Sequence, residues 1–250
     1  MASLPLVNRV ALITGAGRGL GKGIVLSLAS EGMRLALCYR GNRTAAQQTA
    51  RQVQVRGAEA LVLQADVTVP AQAEKLVAGV VKHYGRLDAL INNVGEFGWR
   101  PVIESTVAEW ESVIASNLFS VFYVSKQVLP VMRQQRWGRI INLGAAGAER
   151  AFGQAKISAY AAAKAAVASF TRSLAIEEAP YGITVNMVNP SNVDDQELTR
   201  EEAVRIHDAR FPVGRPPSAE DVAAAIRFFL ADEAGYTTGQ VVTVSGGWML

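Results

Sequence analysis

The chain has 250 residues, half of them apolar, and a formal net charge of +3 at pH 7. This composition can bury one large core, and no linker or low-complexity tract divides the sequence, so we expect a single domain over residues 1–250. The single cysteine cannot form an intramolecular disulfide, and the two separated histidines predict no metal site. The arginines are scattered, which predicts no nucleic-acid partner. We see no leader and no long apolar run, so we expect a cytoplasmic protein without a membrane segment.

Short apolar runs alternate with segments of helical period along the whole chain. The predicted strands are residues 10–13, 35–39, 60–63, 87–91, 139–143, 183–188 and 241–244. The predicted helices are a first one ending near residue 31, then 44–56, 70–84, 107–135, 158–178 and 218–231. Strands without alternating polar residues suit a parallel sheet that is covered on both faces. We therefore predict an α/β fold with a three-layer, Rossmann-type doubly wound sheet of about seven strands.

The first strand is followed by the turn Thr14-Gly-Ala-Gly-Arg-Gly-Leu-Gly. Glycines at this position allow a tight turn and let the backbone approach a pyrophosphate at the positive end of the next helix. A glycine pattern can also be a plain turn, but its place between the first strand and the first helix favours a dinucleotide site. We predict that Gly15, Arg18, Gly19 and Leu20 contact this cofactor.

The end of the second strand indicates which dinucleotide is bound. An acidic residue there favours NAD, but this strand ends with Tyr39 and Arg40. Arg40 and Arg18 can together hold a 2′-phosphate, unless both are simply surface charges. We predict NADPH (NADP⁺), with NADH as the weaker cofactor.

Tyr160 and Lys164 stand four residues apart in an alanine-rich helix, so both side chains lie on one helix face. A nearby ammonium favours tyrosinate, and we expect it to lower the pKa of the phenol. Such a tyrosine can protonate a carbonyl oxygen during reduction. A tyrosine and a lysine at this spacing usually have only a structural role. The other motifs of the chain therefore decide whether the pair is catalytic.

With these motifs in order, the chain resembles the short-chain dehydrogenase/reductase family over essentially its full length. The matching pieces are the glycine turn, Asp66-Val67, Asn92-Asn93-Val94-Gly95, Asn117, and Tyr160 with Lys164. The run Gly138-Arg-Ile-Ile-Asn and the ending Thr238-Gly-Gln-Val-Val-Thr-Val-Ser-Gly-Gly are most similar to the 3-oxoacyl-[acyl-carrier-protein] reductase group.

The resemblance implies a role for each matching residue. Asp66 and Val67 hold the adenine, and Asn93 and Gly95 line the cofactor groove. Lys164 holds the nicotinamide ribose, Tyr160 donates the proton, and Asn117 anchors a water between Lys164 and solvent. The resemblance also implies a homotetramer, or else a dimer, formed through the helices at 107–135 and 158–178 and the final strand.

The catalytic serine of the family is missing. Its position is Ala145 when counted forward from Gly138 and Gly147 when counted back from Tyr160, and neither residue has a hydroxyl. Losing one donor to a developing oxyanion costs about a hundredfold to a thousandfold in rate, which predicts a slowed enzyme rather than an inactive one. The substitute donors to consider are Asn142, Gln154, Ser158 and Ser191.

A second departure follows the sixth strand. There Ser191 replaces a glycine of the family and Asp195 replaces a threonine that helps to hold the nicotinamide. Either Asp195 repels the cofactor phosphates or the loop has moved. Pro190 and Val193 are still expected to contact the cofactor, and residues 194–211 are expected to form the substrate lid.

The substrate is the least defined prediction. Arg136 stands where ketoacyl reductases carry an arginine that binds the carrier protein, but Tyr181 replaces a second basic residue. We predict NADPH-dependent, reversible reduction of a small carbonyl substrate, either a ketone or a 3-oxoacyl thioester. The alternative is a degenerate member that binds dinucleotide as a sensor or partner subunit. A basic nucleic-acid-binding protein ranks far below both, since no recognition motif is present.

Overall fold

The computed structural model describes residues 6–192 and 198–249. Its strands are β1 (Val10–Ile13), β2 (Arg34–Tyr39), β3 (Ala60–Gln64), β4 (Ala89–Asn92), β5 (Gly138–Leu143), β6 (Ile183–Pro190) and β7 (Val241–Val244). They form one seven-stranded sheet in the order β3-β2-β1-β4-β5-β6-β7, and every neighbouring pair is parallel. The predicted fold class is confirmed.

The helices within the described residues agree closely with the predicted ones. They are α1 (Gly19–Ala29), α2 (Arg43–Val55), α3 (Pro70–Tyr84), α4 (Val107–Ile114), α5 (Ser120–Gln135), α6 (Ser158–Glu178), α7 (Arg200–Val204) and α8 (Ala219–Leu230). The helix predicted over residues 107–135 is divided by a π-helical turn, Ala115–Phe119. The short helix α7 was not predicted, and it lies in the segment expected to form the lid.

Helices cover the sheet on both faces because alternate strand residues point to opposite sides. One core joins the sheet to α1 and α8 and includes Ile13, Val188, Ile24 and Val222. The opposite core joins the sheet to α3 and α5 and includes Leu12, Val185, Val77 and Val124. This burial on both sides explains why the strands read as continuous apolar runs.

The order of the strands fixes the position of the site. β1 lies between β2 and β4, and the chain reverses its direction of travel across the sheet at the boundary between β1 and β4. In doubly wound sheets, ligands bind in the crevice at the carboxyl ends of such strands. The glycine turn follows β1 and the Asn93-Val94-Gly95 segment follows β4, so both border this crevice.

Two further observations apply to the described part of the chain. Among residues 6–192 and 198–249, every helix is too short or too polar to cross a bilayer. Over the same ranges, His, Cys, Asp and Glu side chains form no cluster of three that could bind a metal ion.

Candidate active site

The glycine turn forms a cradle that only glycine permits. Gly15 and Gly19 have φ angles of +66° and +53°, a region that L side chains rarely adopt. A Cβ on Gly21 would lie 2.3 Å from the Gly15 carbonyl oxygen. The Asn93 amide nitrogen donates to the carbonyl oxygens of Thr14 at 2.9 Å and Gly15 at 3.2 Å. The ends of β1 and β4 are thus joined, and the cradle fits a pyrophosphate at the start of α1.

A cleft of about 530 Å³ extends along this edge of the sheet. Ten of the predicted cofactor residues line it: Gly15, Arg18, Gly19, Leu20, Tyr39, Arg40, Asp66, Val67, Asn93 and Gly95. Glu96 and Ser116 are among several further lining residues that were not predicted from the sequence. Glu96 directly follows Gly95 and could have been found by that adjacency, whereas Ser116 lies in the π-helical turn and carries no sequence signal.

An ion pair spans the mouth of the cleft. A guanidinium nitrogen of Arg40, after β2, lies 3.5 Å from a carboxylate oxygen of Glu96, after β4. The other oxygen of Glu96 accepts a hydrogen bond from the Ser112 hydroxyl at 2.8 Å. Since β1 separates β2 from β4, this pair crosses above the glycine turn. Both charged side chains are largely exposed, so a bound phosphate can displace the carboxylate at little cost.

Lys164 is the buried cation of the site. Its side chain is almost fully enclosed, and its ammonium donates to the Leu143 carbonyl oxygen at 2.8 Å. Burial lowers the pKa of Lys164 to about 8, because a buried ammonium loses its hydration. A Cβ on Gly95 would lie 2.3 Å from Asn117 Oδ1 and 3.3 Å from Lys164 Nζ. Gly95 therefore leaves a space that these two polar groups border.

Asn117 lies in the π-helical turn between α4 and α5, a local irregularity that often marks functional sites. Its amide nitrogen donates to the carbonyl oxygens of Glu96 at 2.8 Å and Val113 at 2.9 Å. Its buried amide oxygen has no hydrogen-bond partner among the described residues. A buried acceptor without a partner, beside an ammonium, fits a ligand hydroxyl or a water.

Tyr160 lies one helical turn before Lys164, and the Lys164 nitrogen is 5.5 Å from the centre of its ring. The lowered phenol pKa that the sequence predicted is wrong for this structure, since burial raises the pKa of Tyr160 to about 12. The Lys164 ammonium donates its hydrogen bond to Leu143 and not to the phenol. The desolvation of tyrosinate, which raises the pKa, therefore outweighs the attraction between tyrosinate and the ammonium, which would lower it. The phenol therefore remains protonated at neutral pH, as a proton donor must.

An aromatic wall that the sequence did not reveal stands beside Tyr160. The ring of Phe97 meets the ring of Tyr160 edge to face, with 5.1 Å between centroids. Trp99 lies 6.0 Å beyond Phe97, and both side chains are more than half exposed. Exposed aromatic rings beside the Tyr160 phenol can line an apolar ligand pocket.

The segment after β5 has no hydroxyl, and the four candidate substitute donors differ in their surroundings. Asn142 is fully buried and already engaged, because it donates to the Thr171 hydroxyl and accepts from Asn92, both at 2.9 Å. Gln154 is exposed, and Ser158 is partly buried at the start of α6. Ser191 is buried, and its hydroxyl has no hydrogen-bond partner among the described residues.

The loop after β6 is only partly described. Pro190 ends β6, and its carbonyl oxygen accepts from the Ala146 amide at 3.1 Å, but it does not line the cleft. Val193, Asp194 and Asp195 lie outside the described residues. Within the expected lid, α7 is attached to the start of α8, since the Arg200 guanidinium lies 3.1 Å from an Asp221 carboxylate oxygen.

Comparison with known proteins identifies the family. The family model described as Enoyl-(Acyl carrier protein) reductase matches residues 15–249. The 3-oxoacyl-[acyl-carrier-protein] reductase of Synechocystis sp. is 36% identical over 250 residues, 98% of each chain. That of Staphylococcus epidermidis is 36% identical over 245 residues, 96% of this chain and 99% of its own. The chain is a short-chain dehydrogenase/reductase.

Solved structures agree with this assignment. A double mutant of a Serratia marcescens short-chain dehydrogenase/reductase is 31% identical and superimposes with a TM-score of 0.88, covering 98% of this chain and 100% of its own. Acetoin dehydrogenase from Salmonella typhimurium gives a TM-score of 0.85 at 27% identity, covering 97% and 96%. This short-chain dehydrogenase/reductase is thus an oxidoreductase with a nicotinamide dinucleotide cofactor, and the predicted family resemblance is confirmed.

The lowered pKa of Lys164 predicts a pH-dependent stability. Below about pH 8, both the folded and unfolded chains carry the charge, and between about 8 and 10.5 the unfolded chain holds more protons. The unfolding free energy of the wild type, relative to Lys164→Met, should therefore rise by about 3 kcal/mol over that interval. Urea unfolding of both proteins at several pH values measures this change. Lys75→Met, which removes an exposed lysine, should show no such trend, and a pH-independent difference for Lys164→Met would contradict the buried cation.

Proposed function

We propose that this short-chain dehydrogenase/reductase reduces a small carbonyl substrate, a ketone or a 3-oxoacyl thioester, with NADPH, and that the reaction is reversible. The observation that carries the proposal is the position of Lys164 and Asn117 around the space at Gly95, at one end of the dinucleotide cleft. When bound there, NADPH supplies the hydride. The substrate class is supported by the 3-oxoacyl reductases among the relatives.

In this proposal Tyr160 gives its proton to the substrate oxygen as the carbonyl becomes an alcohol, and a proton from solvent then restores the phenol. Lys164 holds the nicotinamide ribose and stabilises the tyrosinate while it exists. Asn117 anchors a water that connects Lys164 to solvent, which its unpartnered amide oxygen supports. The raised pKa of Tyr160 favours protonation before the reaction, so Lys164 acts after the proton has left rather than by acidifying the resting phenol.

Further residues complete the proposed cofactor site. Gly15, Gly19 and Leu20 hold the pyrophosphate at the start of α1, and Asn93 fixes the turn beneath it. Asp66 and Val67 hold the adenine. For Pro190, which does not line the cleft, and for Val193, which lies outside the described residues, a contact with the nicotinamide end rests on the family resemblance alone. Tyr39, which lines the cleft, lies beside the adenosine in this proposal.

The charges at the adenosine end support NADPH rather than NADH. Arg40 and Arg18 both line the cleft, and both are exposed. The carboxylate facing Arg40 belongs to Glu96 across the mouth of the cleft and does not end β2, where an acid would bind the ribose. A 2′-phosphate gives Arg40 a charge-assisted partner in place of Glu96.

Two features bear on the substrate. The exposed rings of Phe97 and Trp99 support an apolar substituent on the carbonyl compound. The basic surface that would bind a carrier protein is incomplete, because Tyr181 stands where a second basic residue is expected. The Arg136 and Arg133 guanidinium groups face the Tyr181 ring instead, at 5.8 and 4.2 Å. We therefore favour a free ketone or a small thioester over a carrier-bound substrate.

Cys38, which is buried, suits the reducing environment of the cytoplasm.

The first test addresses the proton donor. Tyr160→Phe keeps the ring and its contact with Phe97 but removes the proton, so kcat should fall by at least about 100-fold. Turnover of ketones and acetoacetyl thioesters is measured by NADPH oxidation, and NADPH fluorescence measures binding, which should persist. Ala145→Ser should keep or raise kcat. Full activity of Tyr160→Phe would refute the mechanism, and binding without turnover in the wild type would favour the sensor or partner-subunit alternative.

The second test addresses the phosphate clamp. Arg40→Ala should raise the Kd for NADPH about 10-fold to 100-fold, because a charge-assisted hydrogen bond is lost, and should change the Kd for NADH little. Glu96→Gln removes the competing carboxylate and should strengthen NADPH binding. Arg51→Ala, an exposed charge on α2 that does not line the cleft, is the matched control. Equal losses for both cofactors in Arg40→Ala would count against the clamp.

We also propose a homotetramer, with a dimer as the alternative. Phe119, Phe122 and Ile176 are exposed on the helical face expected to form one contact, and Phe228 and Tyr236 are exposed near the final strand. Exposed apolar side chains of this kind are typical of interfaces. Light scattering should give four times the 26.7 kDa chain mass, and Phe122→Glu should reduce it. A monomer at micromolar concentration would contradict this assembly.

A further inference from the structure

We infer that Ser191 supplies the hydrogen bond to the substrate oxygen that the missing serine after β5 would otherwise give. This inference rests on the proposed carbonyl reduction and adds a second donor to it. It assigns a catalytic contact to a residue that stands where the family resemblance places glycine, so no family motif contains it.

The first argument comes from the buried polar atoms. Within the described residues, the buried side-chain atoms without a hydrogen-bond partner are Asn117 Oδ1, Arg139 Nε, Thr184 Oγ1, Asn189 Oδ1 and Ser191 Oγ. Arg139 and Thr184 lie at the amino ends of β5 and β6, away from the site. The other three atoms, which belong to Asn117, Asn189 and Ser191, lie toward the carboxyl ends of the strands, where the site is. A buried polar group without a partner is rare in folded proteins and calls for a ligand or a water.

The second argument is chemical. A developing oxyanion needs a hydrogen-bond donor, and an amide oxygen can only accept. Both amide N–H groups of Asn117 are used, since its nitrogen donates to Glu96 and Val113. Those of Asn189 are used as well, since its nitrogen donates to a Glu149 carboxylate oxygen at 2.8 Å and to the Thr243 hydroxyl at 3.5 Å. The Ser191 hydroxyl alone, among these three unpartnered groups, retains an unused donor.

The third argument is the direction of the side chain. Along β6, Met187 packs against Val167 and Ala168 of α6, whereas Val188 packs in the core with α8. Strand pairing continues one residue past β6, since the Ser191 amide donates to the Val244 carbonyl oxygen at 3.2 Å. Side chains two residues apart share a face, so Ser191 points to the same side as Met187. That is the side of α6, the helix that carries Tyr160 and Lys164.

The fourth argument is proximity to the position that lost its hydroxyl. β6 is the neighbour of β5, and the Ala146 amide donates to the Pro190 carbonyl oxygen. Ser191 therefore follows directly after the residue that binds the segment containing Ala145. A hydroxyl moved from one strand end to the next keeps a donor at the same edge of the sheet.

The experiment combines the removal of one hydroxyl with the return of the other. Ser191→Ala should lower kcat on the order of 100-fold, while NADPH binding measured by fluorescence is retained. Adding Ala145→Ser to Ser191→Ala should recover a large part of that loss. Ser173→Ala, which removes an exposed hydroxyl from α6 at a position with no proposed role in the reaction, is the matched control and should leave kcat unchanged.

Unfolding in urea gives an independent reading. Because the Ser191 hydroxyl is buried without a partner in the free protein, its removal should leave the unfolding midpoint unchanged or raise it. A lower midpoint would indicate a structural role and would overturn the inference. Wild-type kcat in Ser191→Ala, or no recovery by Ala145→Ser, would also overturn it. Should Tyr160→Phe still abolish turnover in those cases, the proposed function would stand and only the role of Ser191 would fail.

Discussion

The site depends on one buried ammonium. Lys164 is enclosed between α6 and the end of β5, and its ammonium donates to a neutral group, the Leu143 carbonyl oxygen. None of the ion pairs among the described residues includes it. A charge held this way destabilises the folded chain, which is why its pKa falls to about 8. Such an arrangement suits a ligand that forms the hydrogen bonds which Lys164 lacks within the protein. The unpartnered amide oxygen of Asn117 indicates that this ligand would lie in the space beside Lys164.

The rest of the cleft is consistent with a site prepared for a polar ligand. Gly95 leaves room beside Lys164, and the glycine turn leaves room for a pyrophosphate. The phenol of Tyr160 is kept protonated by the same burial that weakens the ammonium. The protein thus holds a protonated phenol and a cation side by side without an ion pair between them. Desolvation shifts the pKa of both groups. In the proposed reaction, the absence of the family's serine removes one hydrogen bond to the oxyanion and leaves this pair intact.

The sequence predicted the order of strands and helices because apolar runs covered on both faces differ clearly from amphipathic helices. It also placed ten residues in one cleft, since the carboxyl ends of parallel strands meet at one edge. It could not predict the π-helical turn at Asn117, because one extra residue in a single turn does not visibly change the spacing of apolar residues along the helix. The pKa of Tyr160 was predicted in the wrong direction because burial depends on tertiary packing. The Arg40 pair with Glu96 and the unpartnered hydroxyl of Ser191 depend on the order and register of separate strands.

The most direct measurement of the account is an NMR titration of Lys164 in the presence and absence of NADPH. The chain has six lysines, so the signals of their side-chain nitrogens and ε-methylene groups can be assigned with Lys164→Met. The account predicts that the Lys164 signal titrates near pH 8 in the free protein and shifts when NADPH binds. A Lys164 signal that titrates like the other five and does not respond to saturating NADPH would contradict it.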